Sequence, residues 1–141
     1  MNVKILIVQS NPRWNSLLKS AIYGKMPEIF TGRKILFTDS FDHAVDIELA
    51  PGALVVCSDQ FHDKFSDHRN VVSLKLHDDL KNGNELAKLV KGKFPDASVH
   101  VFSEYSPQGI THIDGYIAKE RGKDFEGIEK VVQLVKNFSS S

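Results

Sequence analysis

The chain has 141 residues, of which 41% are hydrophobic and 26% are charged, as in a globular domain large enough for its own core. Its 18 basic residues balance its 18 acidic residues, so the charge gives no support for direct nucleic-acid binding. No apolar run approaches the roughly 20 residues of a membrane span, and the chain does not open on a signal-peptide pattern. The one cysteine, Cys57, excludes an internal disulfide and fits a cytoplasmic protein. Because Cys57 lies in an apolar run, we expect a buried structural thiol.

The first half of the chain alternates short apolar runs with amphipathic stretches. Runs rich in branched residues predict buried strands, and apolar residues at helical spacing predict the helices between them. Asn11 is the expected N-cap of the first helix, with Pro12 in its first turn. The predicted elements are a strand at Val3–Val8, a helix from Pro12 to Gly24, a strand at Lys34–Thr38, a helix from Ser40 to Leu49 broken by Pro51-Gly52, and a strand at Ala53–Cys57.

The second half begins with an irregular segment, 60–82. Residues 71–76 alternate apolar and polar side chains, which predicts a half-exposed strand inside that segment. The later elements are a helix opened by Gly83 or Asn84 and ended by Pro95, a strand at 98–103, a loop or short helix at 104–112, a strand at 115–119, a helix at 124–137 and a tail at 139–141.

This order of elements predicts an α/β fold, a doubly wound parallel sheet. We expect five strands in the flavodoxin-like order 2-1-3-4-5, with an insertion at 60–82 after the third strand. The chain is interpreted as a single domain over residues 1–138, followed by a disordered tail at 139–141.

Several strands of the predicted sheet end in polar residues. Gln9-Ser10 follows the first strand, Ser58-Asp59 the third, Ser103 ends the fourth, and Lys119 ends the fifth. Because open α/β sheets keep their sites at the carboxyl edge of the strands, we expect these residues to meet there.

Four stretches resemble a response-regulator receiver domain of two-component signalling. They are KILIV, VVCSD, NGNELAKLVKGKFPDASVHVFS and DGYIAKE, in the family's order. The resemblance implies that Asp59 is the phosphoacceptor and that Ser103 and Lys119 contact the phosphoryl oxygens. In such domains two acidic residues after the first strand help to hold Mg²⁺. The resemblance places these two positions at Gln9 and Ser10, and neither residue is acidic. The chain is therefore similar to an atypical, degenerate receiver.

The missing acidic pair changes the expected chemistry. Mg²⁺ prefers hard oxygen ligands that include one or two carboxylates, whereas Gln9 and Ser10 offer only neutral oxygens. Phosphoryl transfer needs a metal and positive groups to offset the charge on the transferred group. We therefore expect no cofactor, no enzymatic activity and weak or absent phosphorylation of Asp59. The expected role is that of a protein-interaction module in signalling, with a protein partner, no direct contact with nucleic acid or membrane, and homodimerisation left open.

Three alternatives remain open at this point. The chain is a phosphorylatable receiver if Asp59 works with unusual metal ligands. If 71–76 were the third strand, Lys75 or Leu76 would occupy the acceptor position and the chemistry would be lost. A flavodoxin-like small-molecule-binding protein is the third alternative, although the loop after the first strand has no glycine for a phosphate cradle.

Two further groups of side chains are interpreted structurally. The Trp14 and phenylalanine stripe has helical spacing and predicts core, whereas exposed Phe61 and Phe65 would indicate a docking surface. The insertion holds acidic and histidine residues without recognised zinc spacing, so a solvated loop is favoured over a metal site. These residues are His62, Asp63, Asp67, His68, His77, Asp78 and Asp79.

Overall fold

The structure is a computed structural model. It describes residues 2–9, 11–27, 34–58, 60–61, 81–103, 113–119 and 124–140. The predicted strand at 71–76 and the segment 104–112 lie outside these residues.

The described residues form seven strands and four helices. The strands are β1 (Val3–Val8), β2 (Ile35–Thr38), β3 (Leu49–Cys57), β4 (Gln60–Phe61), β5 (Lys81–Asn82), β6 (Ser98–Ser103) and β7 (Gly115–Ala118). The helices are α1 (Pro12–Lys25), α2 (Phe41–Asp46), α3 (Gly83–Lys93) and α4 (Asp124–Ser140). None of these helices has the length and apolar character that a membrane crossing requires.

Five parallel strands form the main sheet, in the order β2-β1-β3-β6-β7. This is the predicted order 2-1-3-4-5, so the fold class is confirmed. The third strand of the sheet is β3, which lies between β1 and β6. The alternative in which 71–76 supplies the third strand is therefore wrong, and Asp59 follows the third strand in the sequence.

Helices cover both faces of the sheet. On one face, α2 and α3 bury Phe41, Leu86 and Val90 against alternate residues of the central strands. On the other face, α1 and α4 bury side chains such as Leu18 and Val131. The central strands are apolar on both faces for this reason. Cys57 is fully buried in the first of these cores, which confirms the prediction for its environment.

The N-termini of α1 and α2 follow the predicted capping chemistry. The Asn11 side chain accepts a hydrogen bond from the Arg13 backbone N–H at 2.9 Å, and Pro12 occupies the first turn. Ser40 accepts from the His43 backbone N–H at 3.2 Å in the same way. These side chains satisfy backbone donors that have no partner within the helix.

The region 47–52 differs from the prediction of a helix through Leu49. Helix α2 ends at Asp46, and Pro51-Gly52 lies inside β3 rather than before it. The register along β1 shifts there, since Val3 pairs with Leu49 but Ile5 pairs with Leu54. Gly52 takes a φ of 68°, and its N–H donates to the Asp96 carboxylate at 2.8 Å instead of to a neighbouring strand. A bulge thus absorbs a proline and a glycine that would break a regular strand.

A short two-stranded sheet lies outside the main sheet. Strands β4 and β5 pair antiparallel, with Gln60 opposite Asn82 and Phe61 opposite Lys81, so the two ends of the segment 62–80 are neighbours.

The predicted tail at 139–141 needs correction, because α4 continues through Ser140. Leu134 and Phe138 still pack against the core near its end, which favours continuation of the helix beyond Asn137.

Candidate functional site

The residues that follow the central strands are held at one edge of the sheet by backbone hydrogen bonds. The Gln9 N–H donates to the Thr38 carbonyl at 3.1 Å, and the Ser58 N–H donates to the Val8 carbonyl at 2.9 Å. The Lys119 N–H donates to the Ser103 carbonyl at 2.8 Å. The ladder therefore extends one residue past β1, β3 and β7. Gln9, Ser58, Ser103 and Lys119 all lie at the carboxyl edge, where open α/β sheets place their sites.

Gln9 is the most buried polar residue of this edge, with 0% of its surface exposed. Its Oε1 accepts a hydrogen bond from the Ser58 hydroxyl at 3.3 Å. Its Nε2 has no hydrogen-bond partner within the described part of the chain. A buried donor without an acceptor costs about 1–3 kcal/mol, so the described residues around Gln9 leave its Nε2 at a cost in stability.

Asn15, on the first turn of α1, braces the ends of the first two strands. Its Nδ2 donates to the Gln9 carbonyl at 3.1 Å and to the Thr38 carbonyl at 3.0 Å. Its Oδ1 is buried without a partner among the described residues. The amide thus fixes the backbone on which the Gln9 side chain sits.

Ser103 ends β6 and is buried. Its carbonyl accepts the Lys119 N–H and also the hydroxyl of Tyr116 at 3.0 Å. Tyr116 of β7 and Lys119, which follows that strand, therefore both fix the end of β6. This arrangement keeps Ser103 and Lys119 next to each other at the edge.

The Lys119 ammonium lies against two aromatic rings. Its Nζ is 4.8 Å from the centroid of the Trp14 ring and 4.8 Å from that of Phe102. The two rings meet edge to face, with centroids 5.3 Å apart and planes at 87°. Both distances to the ammonium lie within the about 6 Å range of cation–π attraction. The lysine at this edge is thus held by α1 and β6 together.

The predicted site residues have different outcomes. Gln9, Ser103 and Lys119 share the carboxyl edge, whereas Ser10 and Asp59 lie outside the described residues. Their roles in phosphoryl chemistry stay predictions.

Sequence reasoning placed Ser58 at this edge but did not identify Ser58 or Asn15 as contacts of Gln9. Trp14 packs against the core as predicted, and its additional contact with Lys119 was missed. The signal available in the sequence is position. The first turn of a helix that follows a central strand lies beside the carboxyl edge, so Trp14 and Asn15 were candidates on that ground.

The described residues of the edge do not fit a magnesium ion. Mg²⁺ is held by oxygen ligands, with one or two carboxylates among them. Gln9 and Ser58 are neutral, Lys119 is cationic, and the Gln9 Nε2 donor is directed at no acceptor. Nor do the described ranges bring three or more histidine, cysteine or acidic residues together as a metal cluster. The acidic and histidine residues of the insertion lie outside those ranges.

A second polar cluster lies toward the amino end of β6 and β7. The Asp114 carboxylate accepts the Val99 N–H at 2.7 Å and pairs with the Lys91 ammonium at 2.7 Å. Burial acts to raise the Asp114 pKa, but Lys91, the Val99 N–H and His100 outweigh it and lower the pKa. Burial lowers the pKa of His100, with Asp114 opposing this and Lys91 adding to it. The cluster thus favours the neutral form of His100 and the charged form of Asp114, and it lies toward the opposite end of β6 from Ser103.

Comparison with known proteins gives a clear result for structure alone. No protein-family model matches the chain, and no curated protein matches it. The response regulator TrrA from Thermotoga maritima, in complex with Mg²⁺-BeF, is similar with a TM-score of 0.62 and 18% identity, covering 98% of this chain and 99% of its own.

Two further receiver structures are similar over the full length of both chains. The BeF₃-activated DrrB receiver domain has a TM-score of 0.61 and 17% identity, covering 100% of each chain. The signal receiver domain of an HD domain-containing protein from Pseudomonas fluorescens Pf-5 has a TM-score of 0.60 and 14% identity, also covering 100% of each chain. Together with the observed strand order, these similarities show that the chain has the fold of response-regulator receiver domains.

Proposed function

We propose that this chain is a receiver-like domain that acts in signalling by binding a protein partner, with weak or absent phosphorylation of Asp59. The observation that carries the proposal is the buried, neutral Gln9 at the end of β1. By resemblance, this position holds one of the two acidic residues that grip Mg²⁺ in receiver domains. Here it holds an amide whose oxygen is already bonded to Ser58.

Electrostatics supports this proposal. In a phosphorylating site the carboxylates outweigh the lysine, and a divalent cation relieves their repulsion. At this edge Gln9 and Ser58 are neutral, so these two residues add no negative charge for a divalent cation to relieve. A cation brought beside Gln9 would also meet the Nε2 donor or a single neutral oxygen, whichever way the amide is turned. Among the described residues of the edge, the metal that phosphoryl transfer requires therefore has little to hold it.

A phosphorylatable receiver is the second candidate, and one observation favours it. Ser103 and Lys119 are adjacent at the end of the sheet and are joined through a backbone hydrogen bond of 2.8 Å. This is the pair that contacts the phosphoryl oxygens in receiver domains by the resemblance stated above. The retention of this pair would leave the contacts to the phosphoryl oxygens available.

A labelling experiment separates the two candidates. The protein is incubated with acetyl phosphate and Mg²⁺, and its mass is compared with that of the Asp59→Asn variant. We expect no added phosphate on the unmodified sequence. Phosphate on Asp59 in high yield would establish the second candidate and refute the first.

A double variant, Gln9→Asp with Ser10→Asp, tests the reason for the loss. If the missing carboxylates are the cause, this variant gains Mg²⁺-dependent modification that Asp59→Asn abolishes. Circular dichroism shows whether it is folded. A folded variant that binds Mg²⁺ but remains unmodified would show that the acidic pair is not what limits the reaction.

The interaction role is tested by cross-linking in the native cells. If shape alone carries the signal, the chain and its Asp59→Asn variant capture the same proteins in the same amounts. Quantitative mass spectrometry provides the comparison. Partners that are lost only from Asp59→Asn would contradict a phosphorylation-independent role.

A further inference from the structure

The Lys119 ammonium contacts aromatic side chains from two other elements of the fold. Trp14 comes from the first turn of α1, and Phe102 comes from β6. Each ring centroid lies 4.8 Å from the Lys119 Nζ. The contact therefore joins α1 and β6 to the end of β7.

Both the rings and the lysine are fixed by their surroundings. Phe102 is fully buried, and α4 approaches it so closely that a Cβ on Gly127 would stand 2.9 Å from its Cε1 atom. The edge of one ring meets the face of the other at 87°, an arrangement that aromatic pairs favour. The Lys119 backbone is tied to β6 through its N–H. The position of the Lys119 ammonium is thus fixed by packing on two rings and by the backbone of its own residue.

We propose that Trp14 and Phe102 form an aromatic clamp that holds the Lys119 ammonium at the carboxyl edge. Trp14 is then a positioning residue for Lys119. The clamp keeps α1 and the last strand of the sheet in one relative arrangement. It rests on the proposed function in one respect, because a domain that signals by shape benefits from a lysine whose position does not depend on phosphorylation.

Nuclear magnetic resonance provides a direct test. Ring currents from two aromatic side chains shift the Lys119 Hε protons upfield, and the Lys119→Arg variant identifies the resonance by its loss. We expect the Trp14→Leu variant to return this resonance toward the position of an exposed lysine. An Hε resonance that is unshifted in the unmodified chain, or unchanged in Trp14→Leu, would refute the clamp.

A double-mutant cycle measures the strength of the clamp. The variants are Lys119→Met, Trp14→Leu and their combination, unfolded with urea. We expect the two sites to be coupled by about five- to thirtyfold in the unfolding equilibrium constant, which corresponds to a partly buried cation–π contact. Lys119→Arg should keep most of the stability that Lys119→Met loses, because a guanidinium group also stacks on aromatic faces. Additive effects within error, or no rescue by arginine, would refute the proposal.

A matched control lies on the same helix. The Lys19 Nζ lies 5.7 Å from the Tyr23 ring centroid, with Lys19 exposed and Tyr23 partly buried. The cycle of Lys19→Met with Tyr23→Leu should show weaker coupling than the Lys119 cycle, because the contact is longer and solvated. Equal coupling at both sites would count against a built clamp. None of these outcomes depends on phosphorylation of Asp59, so failure of the clamp and failure of the proposed function are distinguishable.

Discussion

Replacement of the buried Gln9 amide by groups of similar size tests the electrostatic account of the site. Gln9→Met removes the unpartnered Nε2, whose burial costs about 1–3 kcal/mol, and it loses the Ser58 hydrogen bond. That bond, at 3.3 Å, is long for a hydroxyl donor and contributes about 0.5 kcal/mol. The buried Ser58 hydroxyl also loses this acceptor, which offsets part of the remaining gain. We therefore expect Gln9→Met to be as stable as the unmodified chain or more stable by about 1 kcal/mol.

Gln9→Glu has almost the same shape but adds a charge at a position that is 0% exposed. Burial raises the pKa of such a carboxyl group, and each unit corresponds to about 1.36 kcal/mol, so a rise of about 2 units costs about 2.7 kcal/mol at neutral pH. The penalty is absent below the unfolded-state pKa of about 4.3, because the carboxyl group is then protonated in both states. It grows as the pH rises and is complete above the folded-state pKa.

Urea unfolding of both variants and the unmodified chain at pH 5 and pH 7.5 provides the measurement. The difference between Gln9→Glu and Gln9→Met should widen from pH 5 to pH 7.5. A Gln9→Glu variant that matches the unmodified chain at pH 7.5 without Mg²⁺ would refute the reasoning, since the edge would then accommodate a carboxylate unaided.

Other features of the structure lead to three further expectations. Gly127→Ala should lower the free energy of unfolding by about 1–2 kcal/mol, because its Cβ would stand 2.9 Å from Phe102, whereas Gly92→Ala, with open space around it, should raise it by about 0.4–1 kcal/mol in the same urea assay. The pKa of His100 is lowered in the folded chain, so below pH 6.5 the unfolded chain binds a proton more readily than the folded chain does. The free energy of unfolding should therefore fall as the pH drops below 6.5. His100→Gln should flatten this slope in pH-dependent melting. The Asp114 carboxylate, whose pKa is lowered, contributes stability above its ordinary value of 3.8 that is lost as the pH falls through its folded pKa, so Asp114→Asn should weaken the acid limb of the same profile.

Hydrophobic patterning carried most of the fold prediction. Short apolar runs separated by helical periodicity are typical of a doubly wound sheet, and the observed order agrees with that prediction. The region around Pro51-Gly52 was misinterpreted because its solution is not local. The Asp96 carboxylate, far away in the sequence, takes the Gly52 N–H that a regular strand would have paired.

The candidate site was predictable in position but not in contact. Strand ends indicated Gln9, Ser103 and Lys119, because every parallel strand delivers its last residue to the same edge. Helical spacing predicted a core role for Trp14, since periodicity reports which side of a helix is covered and not what covers it. The contact of Lys119 with both Trp14 and Phe102 depends on how α1 and the end of β7 are placed relative to each other in three dimensions, which the spacing does not report.

The short pairing of β4 with β5 has a practical consequence for engineering this domain. Because Gln60 lies opposite Asn82 and Phe61 opposite Lys81, the chain departs from the scaffold and rejoins it across a single pair of strands. The two ends of the segment 62–80 are therefore as close as the ends of a tight hairpin turn, or of a foreign peptide or fluorescent tag whose own ends lie close together. This location is therefore a natural graft point for sensors built on the domain.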